Sequence, residues 1–283
     1  MSDRRRADCL LVERGLCASR AEAQRLLLAG KVLAAGQRVD KPGTLLPVET
    51  PLEIGGPDHP YVSRGGVKLR HALTTFRLDP HGRVCLDVGA STGGFTDCLL
   101  QAGARLVVAV DVGYGQLHVR LRRDARVRVL ERTNIRHLEP AGLPAVPDLA
   151  VIDASFISLA LVLPPVCRLL GRPFDIVALV KPQFEVGKGE VGKRGVVRDP
   201  ALHRGVLERT AASAAALGCG VAGMTASPLL GPMGNREFLA YFTSAEAGGD
   251  VAAMIAEALA LRGDGRENDT DVRAASGDCP QAE

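Results

Sequence analysis

The sequence lacks the cysteine patterns that mark disulfide frameworks and zinc sites. Its seven cysteines are scattered, with no Cys-x-x-Cys pair and no cluster with histidine. Cys85 and Cys167 lie inside apolar runs, where a free thiol packs as a small hydrophobic group. An odd and scattered set predicts free thiols, a reducing cytoplasmic location and no bound metal.

The chain also lacks a long unbroken apolar run. Residues 149–166 are apolar but contain Asp153, Pro164 and Pro165, and residues 211–235 are uncharged but contain five glycines and two prolines. Neither stretch predicts a membrane-spanning helix. The opening Met-Ser-Asp-Arg-Arg-Arg precedes a helical pattern without an apolar segment, so we expect no secretory signal and no membrane partner.

Positive charge is concentrated in the first quarter of the chain. Residues 1–70 contain 12 Lys and Arg against 8 Asp and Glu, although the whole chain has a formal net charge of only +3. A basic N-terminal region is compatible with a polyanionic partner but does not establish one. Residues 263–283 are acidic and poor in apolar residues, so we expect a disordered tail.

The N-terminal region, residues 7–56, predicts a small α+β unit. Its first helix has an apolar stripe that includes Leu16, which we expect to be buried. A second helix is predicted to begin after Ser19, because Ser19 and Glu22 form a capping-box pattern. Gly36 marks the turn of a predicted hairpin.

The rest of the chain alternates predicted strands with helices. The predicted strands lie near residues 83–88, 106–111, 127–130, 148–153, 174–180, 219–226 and 238–243. This alternation, which follows a predicted helix over residues 67–76, is typical of a doubly wound parallel α/β sheet. A loop joins the last two strands, so we expect one of them to be antiparallel at the sheet edge.

A glycine-rich turn follows the first strand of this sheet. Asp87 ends the strand, and Gly89, Gly93 and Gly94 follow, where glycine would let the backbone approach a ligand. The spacing is not the dinucleotide Gly-x-Gly-x-x-Gly pattern. A second strand ends at Asp111, 22 residues after Gly89, where a carboxylate can accept hydrogen bonds from two ribose hydroxyls. Together these features favour an adenosine-containing cofactor over a turn that only connects a strand to a helix.

The charge of Asp87 distinguishes among adenosine cofactors. A carboxylate would repel a pyrophosphate, whereas it would attract the sulfonium and amino groups of S-adenosylmethionine. A phosphate-binding Walker lysine is also absent from the turn. Asn134 follows the third strand, where it would meet an adenine edge or simply cap a turn. The predicted cofactor residues are Asp87, Gly89, Ala90, Ser91, Gly93, Gly94, Phe95, Asp111 and Asn134.

Four charged residues are predicted to meet at the carboxyl end of the sheet: Lys68, Asp153, Lys181 and Glu237. Asp153 and Lys181 directly follow apolar strands, and ligands of open α/β sheets bind there. Transfer of a methyl group to a hydroxyl needs a base, and a lysine serves only when it is neutral. The same four residues are also compatible with two structural salt bridges.

The first fifty residues contain an ordered set of short motifs: Leu-Leu-Val-Glu-Arg-Gly-Leu, Ser-Arg-Ala-Glu-Ala, Gly-Lys-Val, Gly-Gln-Arg-Val and Lys-Pro-Gly. In this order they resemble the S4 RNA-binding domain. The resemblance implies that basic side chains face RNA phosphates, and the alternative is that they are ordinary solvated charges. The residues concerned are Arg5, Arg20, Arg25, Lys31, Arg38 and Lys41, to which we add Arg64 of the following segment.

Five motifs follow in the rest of the chain: Ser-Arg-Gly-Gly-Val-Lys-Leu from residue 63, Asp-Val-Gly-Ala-Ser-Thr-Gly-Gly-Phe from 87, Val-Ile-Asp-Ala-Ser-Phe from 151, Val-Lys-Pro-Gln-Phe-Glu from 180 and Gly-Asn-Arg-Glu-Phe from 234. In this order they resemble the TlyA family of FtsJ-like ribose 2′-O-methyltransferases. The resemblance implies a Rossmann-like class I methyltransferase sheet with a small N-terminal α+β S4-like domain. The implied boundaries are an RNA-binding domain over 1–60, a linker over 61–66 and a methyltransferase domain over 67–250.

For that family the implied activity is methylation of cytidine 2′-hydroxyls in 16S and 23S ribosomal RNA with S-adenosylmethionine. Lys181 would be the central base or hydroxyl activator, while Lys68, Asp153 and Glu237 would position the substrate and tune charge. The implied partners are ribosomal subunits, without a metal, and we expect a monomer. The alternatives are a haemolysin-like membrane-active protein and a catalytically idle RNA-binding protein.

Two features near the predicted site remain open. Residues 183–198, which are rich in Gly, Lys and Arg, are predicted to form a mobile lid over RNA, and the alternative is a solvated loop. Phe156 and Phe184 are each able to stack on a base, but we expect both to pack in the core.

Overall fold

The computed structural model describes residues 3–28, 30–55, 59–187, 189–192, 195–245 and 247–261. The chain divides into two compact units between Pro60 and Tyr61. The predicted tail lies outside the described residues, as do residues 188, 193 and 194 of the predicted lid and the last residue of the helix predicted after Ser19.

The first unit combines two helices with short antiparallel strands. In chain order they are β1 Arg4–Arg6, α1 Ala7–Glu13, α2 Arg20–Leu28, β2 Val32–Ala34, β3 Gln37–Val39, β4 Leu45–Pro47 and β5 Leu52–Ile54. β1 pairs with β4, and β2 lies between β3 and β5. The two helices pack their apolar faces on these strands, with Leu10, Leu11 and Leu27 fully buried.

Local sequence signals account for most of this unit. The Ser19 hydroxyl accepts a hydrogen bond from the Glu22 backbone at 3.2 Å, so the predicted start of α2 is confirmed. The hairpin turn is also confirmed, with positive φ at Ala35 and Gly36. The expectation for Leu16 is wrong: its exposed fraction is 38%, because α1 ends at Glu13 and the chain has turned away before Leu16.

The second unit contains a seven-stranded sheet between helices. In chain order its elements are α3 Gly65–Thr75, β6 Val84–Val88, α4 Gly94–Gln101, β7 Leu106–Val110, α5 Val119–Arg122, β8 Val127–Leu130, β9 Leu149–Ile152, α6 Leu159–Leu169, β10 Asp175–Val180, α7 Pro182–Glu185, α8 Pro200–Ala215, β11 Gly220–Ala226, β12 Phe238–Thr243 and α9 Val251–Ala260. All seven predicted strands are therefore present, and the predicted helix over 67–76 begins two residues earlier, at Gly65.

The strand order corrects one sequence prediction. The order across the sheet is β11-β12-β10-β9-β6-β7-β8. β12 is antiparallel to both of its neighbours, and it is an inner strand rather than an edge strand. The loop between β11 and β12 brings the chain back between β11 and β10, so the edge position goes to β11.

Alternate residues of the central strands enter two separate cores. Leu86, Ile152 and Ile176 face a core that includes α6, α8 and α9, whereas Val107 and Leu149 face one that includes α3, α4 and α5. Burial on both faces explains why these strands read as continuous apolar runs in the sequence.

The six cysteines within the described residues are free thiols, as predicted.

The turn between β6 and α4 requires glycine for the packing of the protein itself. Gly89 has φ +84°, and a Cβ atom there would lie 2.6 Å from the Asp153 carbonyl oxygen. At Gly94 a Cβ atom would lie 2.3 Å from the Ser63 hydroxyl and 2.9 Å from the Gly66 nitrogen. The glycines therefore let the turn pass close to the end of β9 and let α3 begin against α4.

This packing predicts a graded cost for two alanine substitutions. Gly82 also has positive φ, but a Cβ atom added there would meet no other atom within 4 Å, so Gly82→Ala is a matched control. We expect Gly82→Ala to lower the free energy of unfolding by about 1 kcal/mol through backbone strain. Gly89→Ala should cost about 1–3 kcal/mol more, because the added methyl also overlaps the end of β9. Equal losses in urea titration would contradict the packing argument.

Candidate active site

The ends of three neighbouring strands place charged residues together. Asp153 follows β9 and Lys181 follows β10, as the sequence predicted. Val180 pairs with Phe238 in the antiparallel ladder of β10 and β12. Glu237 precedes Phe238, so it lies at the same end of the sheet as Lys181.

The four predicted catalytic residues form two ion pairs. The Lys181 Nζ atom lies 2.6 Å from Asp153 Oδ1 and donates a hydrogen bond to the Ser155 hydroxyl at 2.8 Å. The Lys68 Nζ atom, from α3, lies 2.5 Å from Glu237 Oε2. The exposed fractions of the two lysine side chains are only 10% and 12%. The structure thus brings two lysines and two carboxylates to one end of the sheet, partly shielded from water.

One carboxylate has more hydrogen-bonding capacity than its ion pair uses. The Glu237 side chain is fully buried, yet no described group donates a hydrogen bond to its Oε1 atom. A Cβ atom at Gly231 would lie 2.0 Å from this oxygen, so the adjacent backbone leaves no room for a larger residue. Leaving a buried acceptor unpaired costs about 1–3 kcal/mol, which a purely structural salt bridge does not require. The Lys68–Glu237 pair therefore contains more buried polarity than a salt bridge alone requires.

Asp87 is a second buried carboxylate with an unpaired oxygen. The Thr96 hydroxyl donates to its Oδ2 atom at 2.6 Å, whereas no described group donates to Oδ1. Burial, reinforced by the negative charges of Asp153 and Asp111, raises the pKa of Asp87 to about 7. This site therefore favours a cation beside Asp87, since a nearby positive charge stabilises the ionised carboxylate.

The other predicted cofactor residues are divided between the ligand side and the core. Asp111 follows β7 and accepts hydrogen bonds from the Ser91 and Gly113 backbones at 2.8 and 2.6 Å, so it lies directly beside the glycine turn. Ala90 and Phe95 are buried in the core. Gly93 precedes α4 with φ +97°, in the left-handed region that glycine favours.

Asn134 serves as a helix cap in this structure. Its Oδ1 atom accepts a hydrogen bond from the Arg136 backbone at 3.1 Å, at the start of a 3-10 helix over Ile135–His137. These contacts agree with the alternative that Asn134 caps a turn. The side-chain amide nitrogen of Asn134 is the group that could make a further contact.

The positions of Phe156 and Phe184 bear on the prediction that both pack in the core. The expectation that Phe156 packs in the core is wrong, because its exposed fraction is 90% and its backbone has φ +62°. Its ring centroid lies 5.0 Å from that of Phe184, which is half-buried, and Lys181 Nζ lies 5.9 Å from the Phe184 centroid. Both residues closely follow the strand-end residues Asp153 and Lys181, and this position was the signal available in the sequence.

Glu185 is a site residue that sequence reasoning missed. Its carboxylate accepts hydrogen bonds from the Ser158 hydroxyl at 2.7 Å and from the Leu159 backbone at 2.8 Å. Burial raises the pKa of Glu185. These bonds tie α7 to the start of α6, and so they hold the segment after Lys181 against the segment after Asp153.

The predicted RNA-contacting residues are all exposed. Arg5, Arg20, Arg25, Lys31, Arg38 and Lys41 lie on the surface of the first unit, and Arg64 lies on the surface of the second. Arg5 pairs with the exposed Glu13 at 2.9 Å, whereas Arg20 pairs with the fully buried Asp8 at 3.0 Å.

The described part of the chain is expected to lack a metal site and a membrane-spanning helix. Within the described ranges, no group of three or more His, Cys, Asp or Glu side chains is placed to hold a metal ion. In that same part of the chain, no helix is long and apolar enough to cross a membrane.

Comparison with known proteins gives the same division of the chain. The model of FtsJ-like methyltransferases matches residues 61–244, and the model of the S4 domain matches residues 5–50. The 16S/23S rRNA (cytidine-2′-O)-methyltransferase TlyA of Mycobacterium tuberculosis is 52% identical over 239 residues, which are 84% of this chain and 89% of that protein. YqxC of Bacillus subtilis, provisionally named an rRNA methyltransferase, is 49% identical over 84% of this chain and 85% of its own length.

A solved structure is also similar over nearly the whole chain. It is a protein of Streptococcus thermophilus, provisionally named a hemolysin, with a TM-score of 0.71 and 43% identity, and the match covers 90% of this chain and 96% of that one. The family match and the identities lead to one assignment. This chain belongs to the TlyA family of FtsJ-like methyltransferases, with an S4 domain at its N-terminal end.

Proposed function

We propose that this protein transfers a methyl group from S-adenosylmethionine to the ribose 2′-hydroxyl of cytidines in 16S or 23S ribosomal RNA, or both. The observation that best supports the proposal is the pair of shielded lysine–carboxylate contacts at the sheet end that also carries Asp87 and Asp111. The printed activities of the TlyA relatives agree with this chemistry. An enzyme acting on ribosomal subunits would work in the cytoplasm, and we expect it to act as a monomer.

The residues beside the glycine turn suit S-adenosylmethionine. Asp111 would accept hydrogen bonds from the ribose hydroxyls, and Asp87 Oδ1 would accept one from the amino group. The same turn is too crowded at Gly89 for any side chain. When bound, the cofactor supplies an electrophilic methyl group on a sulfonium.

Lys181 is the proposed proton acceptor. The ammonium of the Lys181–Asp153 ion pair would first lose a proton to solvent, because only the neutral amine can act as a base. The neutral Nζ atom would then take the proton of the ribose hydroxyl as that oxygen becomes a nucleophile, and Asp153 would stabilise the ammonium that forms. The Ser155 hydroxyl fixes the direction of the amine. Lys68, whose side chain has an exposed fraction of 12%, would position the substrate, and the buried Glu237 would hold the Lys68 ammonium in place.

Recognition of RNA would use both units of the chain. We propose that residues 1–60 bind RNA phosphates and that residues 67–250 carry out catalysis, with Arg64 adding a phosphate contact. The exposed ring of Phe156 beside Phe184 offers a surface on which an unstacked base can pack, the usual way that proteins recognise single-stranded RNA.

One prediction for this function concerns methyl transfer and Lys181. Labelled S-adenosylmethionine incubated with isolated 30S and 50S subunits should give label in a nuclease-resistant, 2′-O-methylated cytidine. Lys181→Ala should lower the single-turnover rate by about 10²–10⁴-fold, because the base is lost. Lys181→Arg should be nearly as slow, since a guanidinium keeps the charge but does not accept a proton.

The controls separate this function from its alternatives. Both variants should bind the cofactor with wild-type affinity. An active Lys181→Arg enzyme would show that only the positive charge matters and would overturn the role of Lys181 as base. No label from the wild type, despite measurable cofactor binding, would overturn the ribosomal assignment and favour an idle RNA-binding protein.

Another prediction concerns the pH dependence of cofactor binding. The raised pKa of Asp87 means that its carboxylate ionises as the pH rises through about 7. A protonated ligand amino group favours the ionised form, so affinity for S-adenosylmethionine should rise several-fold between pH 6 and about pH 7.4. Above that pH the rise should stop, because an α-amino group with an ordinary pKa of about 7.7–8.0 loses its own proton. Without ligand, the free energy of unfolding should fall as the pH rises from about 4 through 7, because the native state retains a proton that the unfolded state has lost.

Isothermal titration calorimetry at several pH values measures this dependence directly. Asp87→Asn should bind weakly and without the rise in affinity. Adenosine, which lacks the methionine part and its α-amino group, should bind the wild type with little dependence on pH. An affinity for S-adenosylmethionine that is constant from pH 6 to pH 8 would contradict the proposed contact with Asp87.

A further inference from the structure

The first unit contains a fully buried carboxylate that no catalytic role explains. Asp8 lies in the first turn of α1, and its side chain has an exposed fraction of 0%. Buried carboxylates need several hydrogen-bond donors, because burial otherwise disfavours the charge. The donors around Asp8 are therefore informative.

Two arginines and a glutamine surround Asp8. Arg6 donates from Nε to Oδ1 at 2.9 Å and from Nη2 to Oδ2 at 3.0 Å. Arg20 donates from Nε to Oδ2 at 3.0 Å, and Gln24 donates to the same oxygen at 3.0 Å. The hydrogen bonds from Arg6, followed by those from Gln24 and Arg20, hold the pKa of Asp8 well below its usual range.

The Arg6 and Arg20 guanidinium groups both bond to the buried Asp8, yet both side chains are partly exposed to solvent. The exposed fractions of the Arg6 and Arg20 side chains are 45% and 55%. Among the described residues, the hydrogen bonds of Arg20 use only its Nε atom, and those of Arg6 use only Nε and Nη2. By contrast, Arg5 is engaged by Glu13, which is itself 45% exposed, so that pair lies entirely on the surface.

We propose that Asp8 is a positioning residue that holds Arg6 and Arg20 together as one preorganised site for an RNA phosphate. The inference rests on the proposed function, because it assumes that the first unit binds ribosomal RNA. It also adds Arg6 to the predicted phosphate contacts, a residue that the resemblance to S4 domains does not single out.

Two physical effects favour phosphate binding by Arg6 and Arg20: both side chains are already ordered, and the repulsion between their charges is reduced. An exposed arginine has many rotamers, and binding a phosphate with a free side chain requires that freedom to be lost. Here hydrogen bonds to Asp8 already fix part of each guanidinium, while both arginine side chains stay about half exposed. The buried negative charge also offsets the mutual repulsion of two neighbouring cations, so both can approach the same phosphate.

Asp8→Asn tests the proposal because positioning and simple charge predict opposite results. Removing a negative charge from an RNA-binding surface should strengthen binding if only net charge matters. If Asp8 positions the arginines, affinity for ribosomal subunits should fall, although the protein has become more positive. Glu13→Gln is the matched control, since it removes the same charge from α1 at an exposed pair and should leave binding unchanged or slightly tighter.

The measurement is filter binding of the full chain to isolated 30S and 50S subunits over a range of salt concentrations. For Asp8→Asn we expect roughly a tenfold loss of affinity and a salt dependence that is weaker by about one phosphate contact. The methyl-transfer rate at saturating subunits and the affinity for S-adenosylmethionine should stay at wild-type values. Wild-type or tighter binding by a folded Asp8→Asn protein would overturn the proposal.

A second variant keeps the test decisive if Asp8→Asn unfolds the first unit. Arg20→Lys changes a surface residue and preserves charge, but an ammonium cannot bond Asp8 and also present two free N–H edges. It should weaken binding nearly as much as Arg20→Ala, and wild-type binding by Arg20→Lys would contradict preorganisation. In an Arg6→Gln, Arg20→Gln background, Asp8→Asn should cause little further loss, because Asp8 acts through these two residues.

The proposed function and this inference fail in different ways. If the wild type neither binds nor methylates either subunit, the proposed function is wrong. If the wild type is active and Asp8→Asn, folded, binds as well as the wild type, only the role of Asp8 is wrong.

Discussion

The antiparallel pairing of β12 with β10 is the constraint on which the site depends. It sets Glu237 beside Lys181 at one end of the sheet, because Phe238 pairs with Val180. Glu237 in turn binds Lys68, which brings α3 to the same place. If β12 ran parallel to β10, its first residue would lie at the opposite end of the sheet. Glu237, which directly precedes β12, would then lie far from Lys181. Chain direction in one strand thus decides whether the two ion pairs form a common site.

The unpaired polar groups of the proposed site destabilise the fold only locally. Most buried groups in the second unit are apolar and lie in two cores on either face of the sheet. At the carboxyl end, however, Asp87 and Glu237 each keep a buried oxygen without a described donor. Such groups are costly in the absence of a ligand, and strain or unsatisfied polarity of this kind is typical of functional sites. The sheet and helices are therefore well packed away from the proposed site, whereas buried hydrogen-bond acceptors at the site remain partly unpaired.

The sequence predicted the parts of this arrangement that local patterns determine. Asp153 and Lys181 were identifiable because each ends an apolar strand, and Asp111 was identifiable for the same reason. The inner position of β12 was not, since pairing between distant segments leaves no local signal. The exposure of Phe156 was also missed, because an aromatic residue after a buried strand normally reads as core. The roles of Asp8 and Glu185 depend on partners that only the folded chain brings close.

The most direct test of the account is to replace one ion pair completely. Lys68→Met combined with Glu237→Leu removes both charges while keeping volume, so a merely structural salt bridge should be replaced at little or no cost in stability. We predict an unchanged or higher free energy of unfolding, unchanged affinity for S-adenosylmethionine, and a single-turnover methyl-transfer rate reduced by about 100-fold or more. A stable double variant that methylates ribosomal subunits at the wild-type rate would show that the pair is structural and would contradict the proposed active site.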